Sequence, residues 1–524
     1  MKKVFALFMA LLCLLLCACG SKGPTAPRPI VTESPAASST PIPSPTQSVT
    51  GALAFYENSK YLQQAGDDGL ICRAEFPSLS IESSHAAAFP QLSAAIDSLN
   101  ADFAVEGNAA YERLLRMAES DVELNVETVF PYTRTFQLSL PRADDRALSI
   151  LCRMTEYSGG PQSSESFYAY NFDSRTGRAL SIENIVGDTA RLPELLEAAL
   201  TAKYPKAEFY SLPDSLQQYI AGEKAAYTWT LDYQGLSFYF APYELAPYEE
   251  GSFTVSLRFD DHPDFFSLYY TPSPYSFSIP LIGGECLNYD MDGNGKADGI
   301  SVKGIYDKAG EYISTLSINV NGKISTANVN ILDYEAYVVY TGPGKNFLII
   351  NAFNNGYGYI SAYRLEKSGA SLVGMLYDTS LQAAGYSGKY FGKPVLSCPS
   401  LFPLGTKIEL LSTMTGLKTY KIGETGLPET TDEFYDLSAP ASLTAVGEFS
   451  TATLDRDTGM GNFSTVKIVP GTVLYFWRSD GAGLVDMYTE NGDLCRFYVS
   501  GKKPVQNVNG MPADTCFEGM VYKD

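Results

Sequence analysis

The chain has 524 residues, 45% of them hydrophobic, and a formal net charge of −21. This length and apolar content predict a globular body of about two to four domains rather than one core. The acidic excess opposes nucleic-acid binding, which needs a basic face, so we expect no nucleic-acid partner. It favours cations or a basic protein as partners, although the solubility of a surface protein explains the same acidity.

The amino terminus has the pattern of an export signal. Lys2 and Lys3 give a positive start, and residues 4–16 form an almost wholly apolar run that is too short for a comfortable membrane span. Leu16-Cys17-Ala18-Cys19 resembles the bacterial lipobox, in which the cysteine after the cleavage site is acylated. The resemblance implies a signal peptide and lipobox over residues 1–19. It also implies lipidation of Cys19, with the lipid bilayer as partner, on the extracytoplasmic face of the cell membrane. An ordinary signal peptide or a short membrane anchor is the alternative.

Residues 20–52 are predicted to be a disordered tether. They are dominated by Pro, Ser, Thr and Ala, a composition that cannot bury a core. Roughly thirty residues in an extended conformation span about 90 Å, enough to lift a folded body away from the membrane.

Six cysteines follow Cys19 in the chain, namely Cys72, Cys152, Cys286, Cys398, Cys495 and Cys516. Their wide spacing, without a C-x-x-C pair, argues against a zinc site. Six thiols allow about fifteen pairings, among which the sequence does not choose. Cys495 and Cys516 are close enough in sequence for a bridge, and buried free thiols are the alternative.

Residues 53–278 are predicted to form an α+β domain, an antiparallel sheet with helices on one side. Apolar residues recur at helical spacing from Leu92 to Phe103 after Pro90, again from Leu192 to Leu200, and in a shorter third helix at Leu216 and Ile220. Alternating patterns predict the strands 134–140, 147–157, 166–172, 227–231, 236–240 and 253–259. Helices packed on one side of such a sheet give the α+β class.

The remainder of the chain is predicted to be mostly β, with a β-rich region over 281–440 and a small β domain over 441–524 that resembles an SH3-like barrel. Strand 314–320 ends at Asn321-Gly322, which is typical of a type I′ hairpin turn. Strands 347–352 and 359–365 are predicted to pair. Strands 472–478, 485–489 and 494–499 are predicted to form a meander.

The sharpest local motif is the acidic stretch from Asp290 to Asp298. Oxygen-bearing side chains occupy its positions 1, 3, 5 and 9, Gly295 supplies the sharp turn, and Lys296 is expected to offer its carbonyl oxygen. The motif resembles the D-x-D-G-N-G-x-x-D loops of integrin-type extracellular β-repeats, which bind calcium structurally. We therefore predict a structural Ca²⁺ site formed by Asp290, Asp292, Asn294, Lys296 and Asp298. Ser301 replaces the EF-hand glutamate, and a plain solvated acidic turn is the alternative.

Signatures of catalysis are sparse. The chain contains only two histidines, and no G-x-S-x-G elbow, H-E-x-x-H motif or Walker loop is present. Asp260-Asp261-His262-Pro263 has a superficial likeness to the start of polysaccharide deacetylases, but those enzymes need further histidines for their metal. We therefore expect no enzymatic activity and predict no catalytic residue.

Three motifs stand in order in the first half of the chain. They are Tyr157-Ser-Gly-Gly160, then Phe167-Tyr-Ala-Tyr-Asn-Phe172-Asp173-Ser-Arg-Thr176-Gly177, then Phe238-Tyr-Phe240-Ala-Pro-Tyr243-Glu244-Leu-Ala-Pro247-Tyr248-Glu-Glu-Gly251. Over residues 70–265 the chain thereby resembles the extracellular domain shared by RsiV-type anti-sigma factors and PdaC-type peptidoglycan deacetylases. The Ala-His-Gly that usually follows the glycine pair in that family is replaced here by Pro161-Gln-Ser. The sigma-binding segment and the deacetylase domain are absent from the sequence.

The resemblance implies a binding role, because anti-sigma members of the family bind lysozyme, a cationic wall hydrolase. Tyr243, Glu244, Tyr248 and Glu249 are the candidate ligand surface, since tyrosines beside carboxylates suit a basic protein. A structural aromatic corner is the other reading of the same residues. We predict a cell-surface lipoprotein that binds a wall-associated ligand, lysozyme or a peptidoglycan fragment, without catalysis. The alternatives are a cell-wall glycan-acting enzyme with an unrecognised site and a structural envelope component.

Overall fold

A computed structural model describes residues 51–523, apart from 67–68, 125–130, 221–225, 282–283, 285, 355–357, 382–392, 438–441 and 456–460. The predicted signal segment, Cys19 and most of the predicted tether lie outside the described residues. Within them, no helix combines the length and the apolar character needed to cross a membrane.

The first half of the described chain mixes strands and helices. In chain order they are β1 Phe55–Glu57, β2 Lys60–Gly66, β3 Gly69–Phe76, β4 Leu79–Ile81, α1 Ser83–Ala88, α2 Pro90–Glu123, β5 Tyr132–Ala143, β6 Ala147–Tyr157, β7 Ser164–Asp173, α3 Leu192–Lys203, α4 Leu212–Ile220, β8 Thr228–Leu231, β9 Gly235–Phe240 and β10 Phe253–Arg258. Short 3₁₀ turns occur at Ile182–Asn184, Thr189–Arg191 and Tyr248–Glu250. The three predicted helices and the predicted strands of this region are confirmed.

The second half is almost entirely β, which confirms the predicted fold class. Its elements are β11 Phe277–Leu281, β12 Leu287–Tyr289, β13 Asp298–Tyr306, β14 Ile313–Val320, β15 Lys323–Ile331, β16 Asp333–Tyr340, β17 Asn346–Phe353, β18 Tyr359–Glu366, β19 Gly369–Tyr377, β20 Thr379–Ser380, β21 Lys393–Val395, β22 Phe402–Glu409, β23 Thr413–Ile422, β24 Pro428–Glu429, β25 Tyr435–Leu437, β26 Ser442–Ala445, β27 Phe449–Leu454, β28 Gly461–Ile468, β29 Val473–Ser479, β30 Leu484–Thr489, β31 Leu494–Lys502, β32 Val505–Val508, β33 Met511–Pro512, α5 Ala513–Cys516 and β34 Phe517–Glu518.

Helix α2 packs its apolar stripe on a five-stranded sheet of order β2-β3-β5-β6-β7, in which only the β3–β5 pair is parallel. Pro90 stands in its first turn, where its missing N–H costs no hydrogen bond. The buried side chains recur every three or four residues, and they are Leu92, Ile96, Leu99, Phe103, Ala110, Leu114 and Ala118. At Gly107 an added Cβ would lie 2.5 Å from the Phe76 ring, so glycine allows the helix to approach the sheet.

A second core joins α3 and α4 to the antiparallel sheet β10-β9-β8. Leu196, Leu200 and Leu216 from the helices meet Phe238 and Val255 of the sheet. This small sheet carries the predicted ligand surface, between β9 and β10, and residues flanking its strands form one wall of a cleft.

The predicted turns and pairings of the β region are confirmed. Strands β14 and β15 pair across Asn321 and Gly322, whose φ angles of 52° and 79° are both positive, as a type I′ turn requires. Strand β17 pairs with β18, and β29, β30 and β31 form the predicted meander. Strand β1, in the predicted region 53–278, pairs with β21 in the region 281–440. The sheet that contains β23 and β25 of the region 281–440 continues through β29 of the region 441–524. Strand pairing therefore joins the three predicted regions.

The cysteines that follow Cys19 are all free thiols, five of them buried and Cys286 exposed. The bridge considered between Cys495 and Cys516 is therefore not formed. Burial raises the pKa of the Cys495 thiol to about 11, with Asp493 adding to the effect. This thiol consequently behaves as an unreactive core residue.

Candidate functional site

The acidic loop, residues 290–298, connects β12 to β13. Asp290, Asp292 and Asp298 each place a carboxylate oxygen within 4.8 Å of the other two. Asp290 and Asp298 are buried, whereas Asp292 is exposed. The loop thus gathers three hard oxygen ligands, which is the donor type that Ca²⁺ prefers.

Backbone N–H groups hold the acidic loop in its curved shape. Asp290 Oδ1 accepts from the N–H of Gly293 at 2.9 Å, and Asp290 Oδ2 accepts from the N–H of Gly295 at 2.6 Å. Both glycines have positive φ, 70° and 82°, a left-handed conformation that glycine adopts without strain. Asp298 Oδ2 accepts from the N–H of Met291 at 3.0 Å, which closes the loop on itself.

The other two predicted ligands, Asn294 and Lys296, would offer an amide oxygen and a backbone carbonyl oxygen instead of a carboxylate. Asn294 Oδ1 accepts from the N–H of Lys296 at 2.9 Å, and its Nδ2 donates to Asp292. The Asn294 side chain therefore serves the turn itself in this structure. Lys296 is exposed at the outer edge of the loop.

Two cations approach the acidic loop from distant parts of the chain. Lys367 Nζ lies 2.5 Å from Asp292 Oδ2, and Arg258 lies 4.0 Å from Asp290 Oδ2. The hydrogen bond from Lys367 holds the pKa of Asp292 below its ordinary value. The oxygen set fits a calcium ion, and Lys367 is the internal cation with which such an ion would have to compete.

The aromatic–acidic surface, defined by Tyr243, Glu244, Tyr248 and Glu249, lies between β9 and β10. Tyr243 is 62% exposed and has a φ of 72°, a left-handed conformation that is uncommon for a residue with a side chain. The rings of Tyr243 and Tyr248 lie 5.4 Å apart, and the Tyr248 hydroxyl donates to the Ser163 carbonyl at 3.1 Å. The two tyrosines are thus held in place on the surface.

Of the two glutamates of this surface, Glu249 is exposed to solvent, whereas Glu244 forms hydrogen bonds within the protein. Glu244 Oε2 accepts from the N–H of Ala241 at 3.0 Å, and its carboxylate also pairs with the Tyr219 hydroxyl. Burial, followed by the charge of Glu244, raises the pKa of Tyr219. Glu244 therefore shapes the turn, whereas Glu249 remains free to face a partner.

A cleft of about 710 Å³ lies beside the acidic loop. Its lining residues come from five stretches of the chain and are Tyr233, Gln234, Phe259, Asp260, Thr271, Pro272, Ser273, Pro274, Tyr275, Phe277, Tyr289, Asp290, Met291, Asp292, Gly293, Tyr340, Pro343 and Gly344. Its volume lies within the range of small-molecule sites. Sequence reasoning missed this cleft, since no local spacing links residues 233, 275 and 340. The only signal was the abundance of Tyr, 36 residues, and Phe, 28 residues.

One segment of the chain matches a known protein family. Residues 186–260 match the family described as "Protein of unknown function (DUF3298)". No curated protein matches the chain. Two solved structures are similar, a DUF3298 family member from Bacteroides fragilis and a DUF3298 family protein from Pseudomonas aeruginosa PAO1.

The likeness to these two structures is distant. The first is 16% identical with a TM-score of 0.30, and the match covers 42% of this chain and 95% of that one. The second is 14% identical with a TM-score of 0.30, and the match covers 42% and 97% respectively. The matched segment contains α3, α4, β8, β9, β10 and the aromatic–acidic surface. At this coarse level a DUF3298 segment within the α+β region is consistent with the extracellular-domain resemblance.

Proposed function

We propose that this chain is a non-enzymatic lipoprotein of the cell surface, anchored in the bilayer through Cys19, that binds a basic wall-associated protein such as lysozyme. The aromatic–acidic surface is the proposed contact. The observation that carries the proposal is Tyr243, which is 62% exposed in a left-handed backbone conformation. Such strain on a side-chain-bearing residue costs roughly 1–2 kcal/mol and tends to persist at functional sites.

The chemistry of this surface suits a cationic protein. Tyrosine contributes large, rigid contact area and is enriched among the residues that dominate binding energy. Tyr248 packs on Tyr243 and is itself tied to Ser163, so little side-chain entropy remains to be lost on binding. Glu249 and Glu250 are exposed beside the tyrosines, and the chain as a whole is acidic. These charges favour encounter with a basic partner.

Calcium is part of the proposal as a structural ion of the acidic loop. The three gathered carboxylates offset the charge of Ca²⁺ and supply part of the roughly six to eight oxygen ligands that it takes. Because Lys367 already pairs with Asp292, we expect a modest affinity that suits the high calcium of an extracellular space.

The experiment is a titration of the soluble chain from residue 51 onward with lysozyme, at low and at moderate salt. Tyr243→Ala and Glu249→Gln are expected to weaken binding. Tyr498→Ala and Glu490→Gln are matched controls, because these side chains are also exposed but lie outside the surface. Absence of saturable binding at high micromolar lysozyme would remove the lysozyme proposal.

The alternatives give different outcomes with purified peptidoglycan. Release of sugars or acetate would indicate a glycan-acting enzyme. Saturable binding of peptidoglycan fragments without product would move the ligand from protein to wall polymer. If neither peptidoglycan nor lysozyme gives a response, a structural role in the envelope is favoured.

A further inference from the structure

The cleft beside the acidic loop has an aromatic floor and an aromatic rim. The Tyr233 and Phe277 rings stack at 4.1 Å between centroids, and the Phe277 and Tyr340 rings stack at 5.1 Å. Tyr233 and Phe277 are buried, while Tyr340 is half-buried and Tyr275 is 70% exposed at the rim. The Tyr275 hydroxyl lies against Gly342, where an added Cβ would be only 2.6 Å away. The Arg142 guanidinium lies 5.5 Å from the centroid of the Tyr233 ring, so Tyr275 and Tyr340 are the rings that remain open to a ligand entering the cleft.

The charged side chains that line the cleft are all acidic. They are Asp260, Asp290 and Asp292, with no lysine, arginine or histidine among the lining residues. The Asp260 side chain is 61% exposed and the Asp292 side chain is 40% exposed, so both remain accessible to a ligand. Arg258 and Lys367 pair with these two carboxylates from outside the lining.

We propose that this cleft binds an alkylammonium group, a primary or quaternary amine on an apolar chain. A cation over a tyrosine face is attracted by the negative face of the ring, and carboxylates at the rim supply the counter-charge. An anionic ligand would be repelled by the exposed carboxylates of Asp260 and Asp292, and a purely apolar ligand would gain no attraction from them. This site is separate from the aromatic–acidic surface and does not depend on the function proposed above.

The neighbouring acidic loop sets the conditions of the test. Asp290 and Asp292 belong to both the loop and the cleft lining, so a calcium ion in the loop would cancel part of the charge that attracts an ammonium group. Binding is therefore measured in chelator-containing buffer at low salt, where surface charges are least screened. Asp260 lies outside the loop and is the carboxylate to substitute.

The probe is choline, compared with its uncharged tert-butyl analogue, with acetate and with N-acetylglucosamine, by NMR titration of the chain from residue 51 onward. We expect choline to bind with a dissociation constant on the order of 1 mM and the uncharged analogue at least about fivefold more weakly. Tyr275→Ala should weaken choline binding about two- to fivefold, and Asp260→Asn by a similar factor.

Two control variants remove exposed side chains of the same types that do not line the cleft. Asp261→Asn removes the adjacent exposed carboxylate, which does not line the cleft, and Tyr377→Ala removes a tyrosine that is 69% exposed elsewhere. Both should leave choline binding unchanged. Equal binding of choline and its uncharged analogue would overturn the proposal. So would binding of N-acetylglucosamine in place of choline, or loss of binding in the control variants alone.

Discussion

Arg142 Nε donates to Asp144 Oδ2 at 2.9 Å, and neither side chain has any exposed surface. The same guanidinium donates to the carbonyl oxygens of Tyr270 at 2.5 Å and Pro272 at 2.9 Å. Pro272 lines the cleft. The buried ion pair at the β5–β6 hairpin thus fixes the backbone at one edge of the cleft, although Tyr270 is 128 residues away in sequence.

Substituting Arg142 by Met should destabilise the fold strongly. The change leaves a buried carboxylate without its counter-charge and the carbonyl oxygens of Asp232, Tyr270 and Pro272 without this donor. Breaking a buried pair in this way costs roughly 3–5 kcal/mol. Chemical denaturation measures the loss. Arg178→Met, at an exposed arginine, should change the free energy of unfolding by less than about 0.5 kcal/mol. A loss below about 1 kcal/mol in the Arg142 variant would contradict the prediction.

His85 should make stability fall in mild acid. Burial lowers the pKa of His85 below its ordinary value of 6.5, with Glu82 opposing the shift, and its Nδ1 accepts from the N–H of Ala54 at 3.0 Å. The unfolded chain therefore binds this proton at a higher pH than the folded chain. Stability from this group is present above a pH of about 6.5 and is lost as the pH falls through the folded pKa.

Two measurements check the His85 prediction. NMR titration should give a His85 midpoint below 6.5. Thermal unfolding between about pH 7 and pH 5 should show a smaller acid effect in His85→Gln, because glutamine does not titrate. His262→Gln is the matched control at the other histidine of the chain. A His85 midpoint at or above the ordinary value would show the argument to be wrong.

Gly177→Ala should destabilise the turn after β7. Gly177 has a φ of 65°, and an added Cβ would lie 2.3 Å from the Gln91 carbonyl oxygen at the start of α2. Overpacking against backbone, together with the left-handed φ, should cost about 2 kcal/mol. Gly187→Ala is the control, because nothing lies within 4 Å of the added Cβ there. Denaturation curves that are equal for the two variants would contradict the prediction.

Calcium should raise the melting temperature of the protein, and chelation should reverse the effect. An ion at a hundred times its dissociation constant stabilises the folded state by about 2.7 kcal/mol. Asp292→Asn should abolish the response. Lys367→Met should increase calcium affinity a few-fold, because it removes the internal cation that pairs with Asp292.

Asp307→Asn is the control for the calcium experiment. Asp307 Oδ1 accepts from the N–H of Glu311 at 3.0 Å in another turn of the same sheet, but it does not belong to the gathered carboxylates. This variant should keep the full calcium response. An unchanged melting temperature at millimolar calcium would reject the site.

Local patterns predicted well the elements whose determinants lie close together in sequence. Pro90 and the apolar spacing that follows it predicted α2, although the helix continues to Glu123, because small residues such as Ala110 and Ala118 extend the buried stripe. Asn321 and Gly322 predicted their hairpin, since both must adopt positive φ. The three aspartates of the acidic loop were also predictable, because nine residues and two glycines suffice to bring them together.

The sequence by itself determined the α+β and β-rich elements, the hairpin turns and the acidic loop, because hydrophobic period and turn chemistry act over a few residues. Only the tertiary structure decided that Lys367 pairs with Asp292, that Arg142 anchors Tyr270, and that Tyr233, Tyr275 and Tyr340 line one cleft. These contacts join residues far apart in the chain. They depend on how whole sheets pack to bury apolar area, which no local spacing encodes.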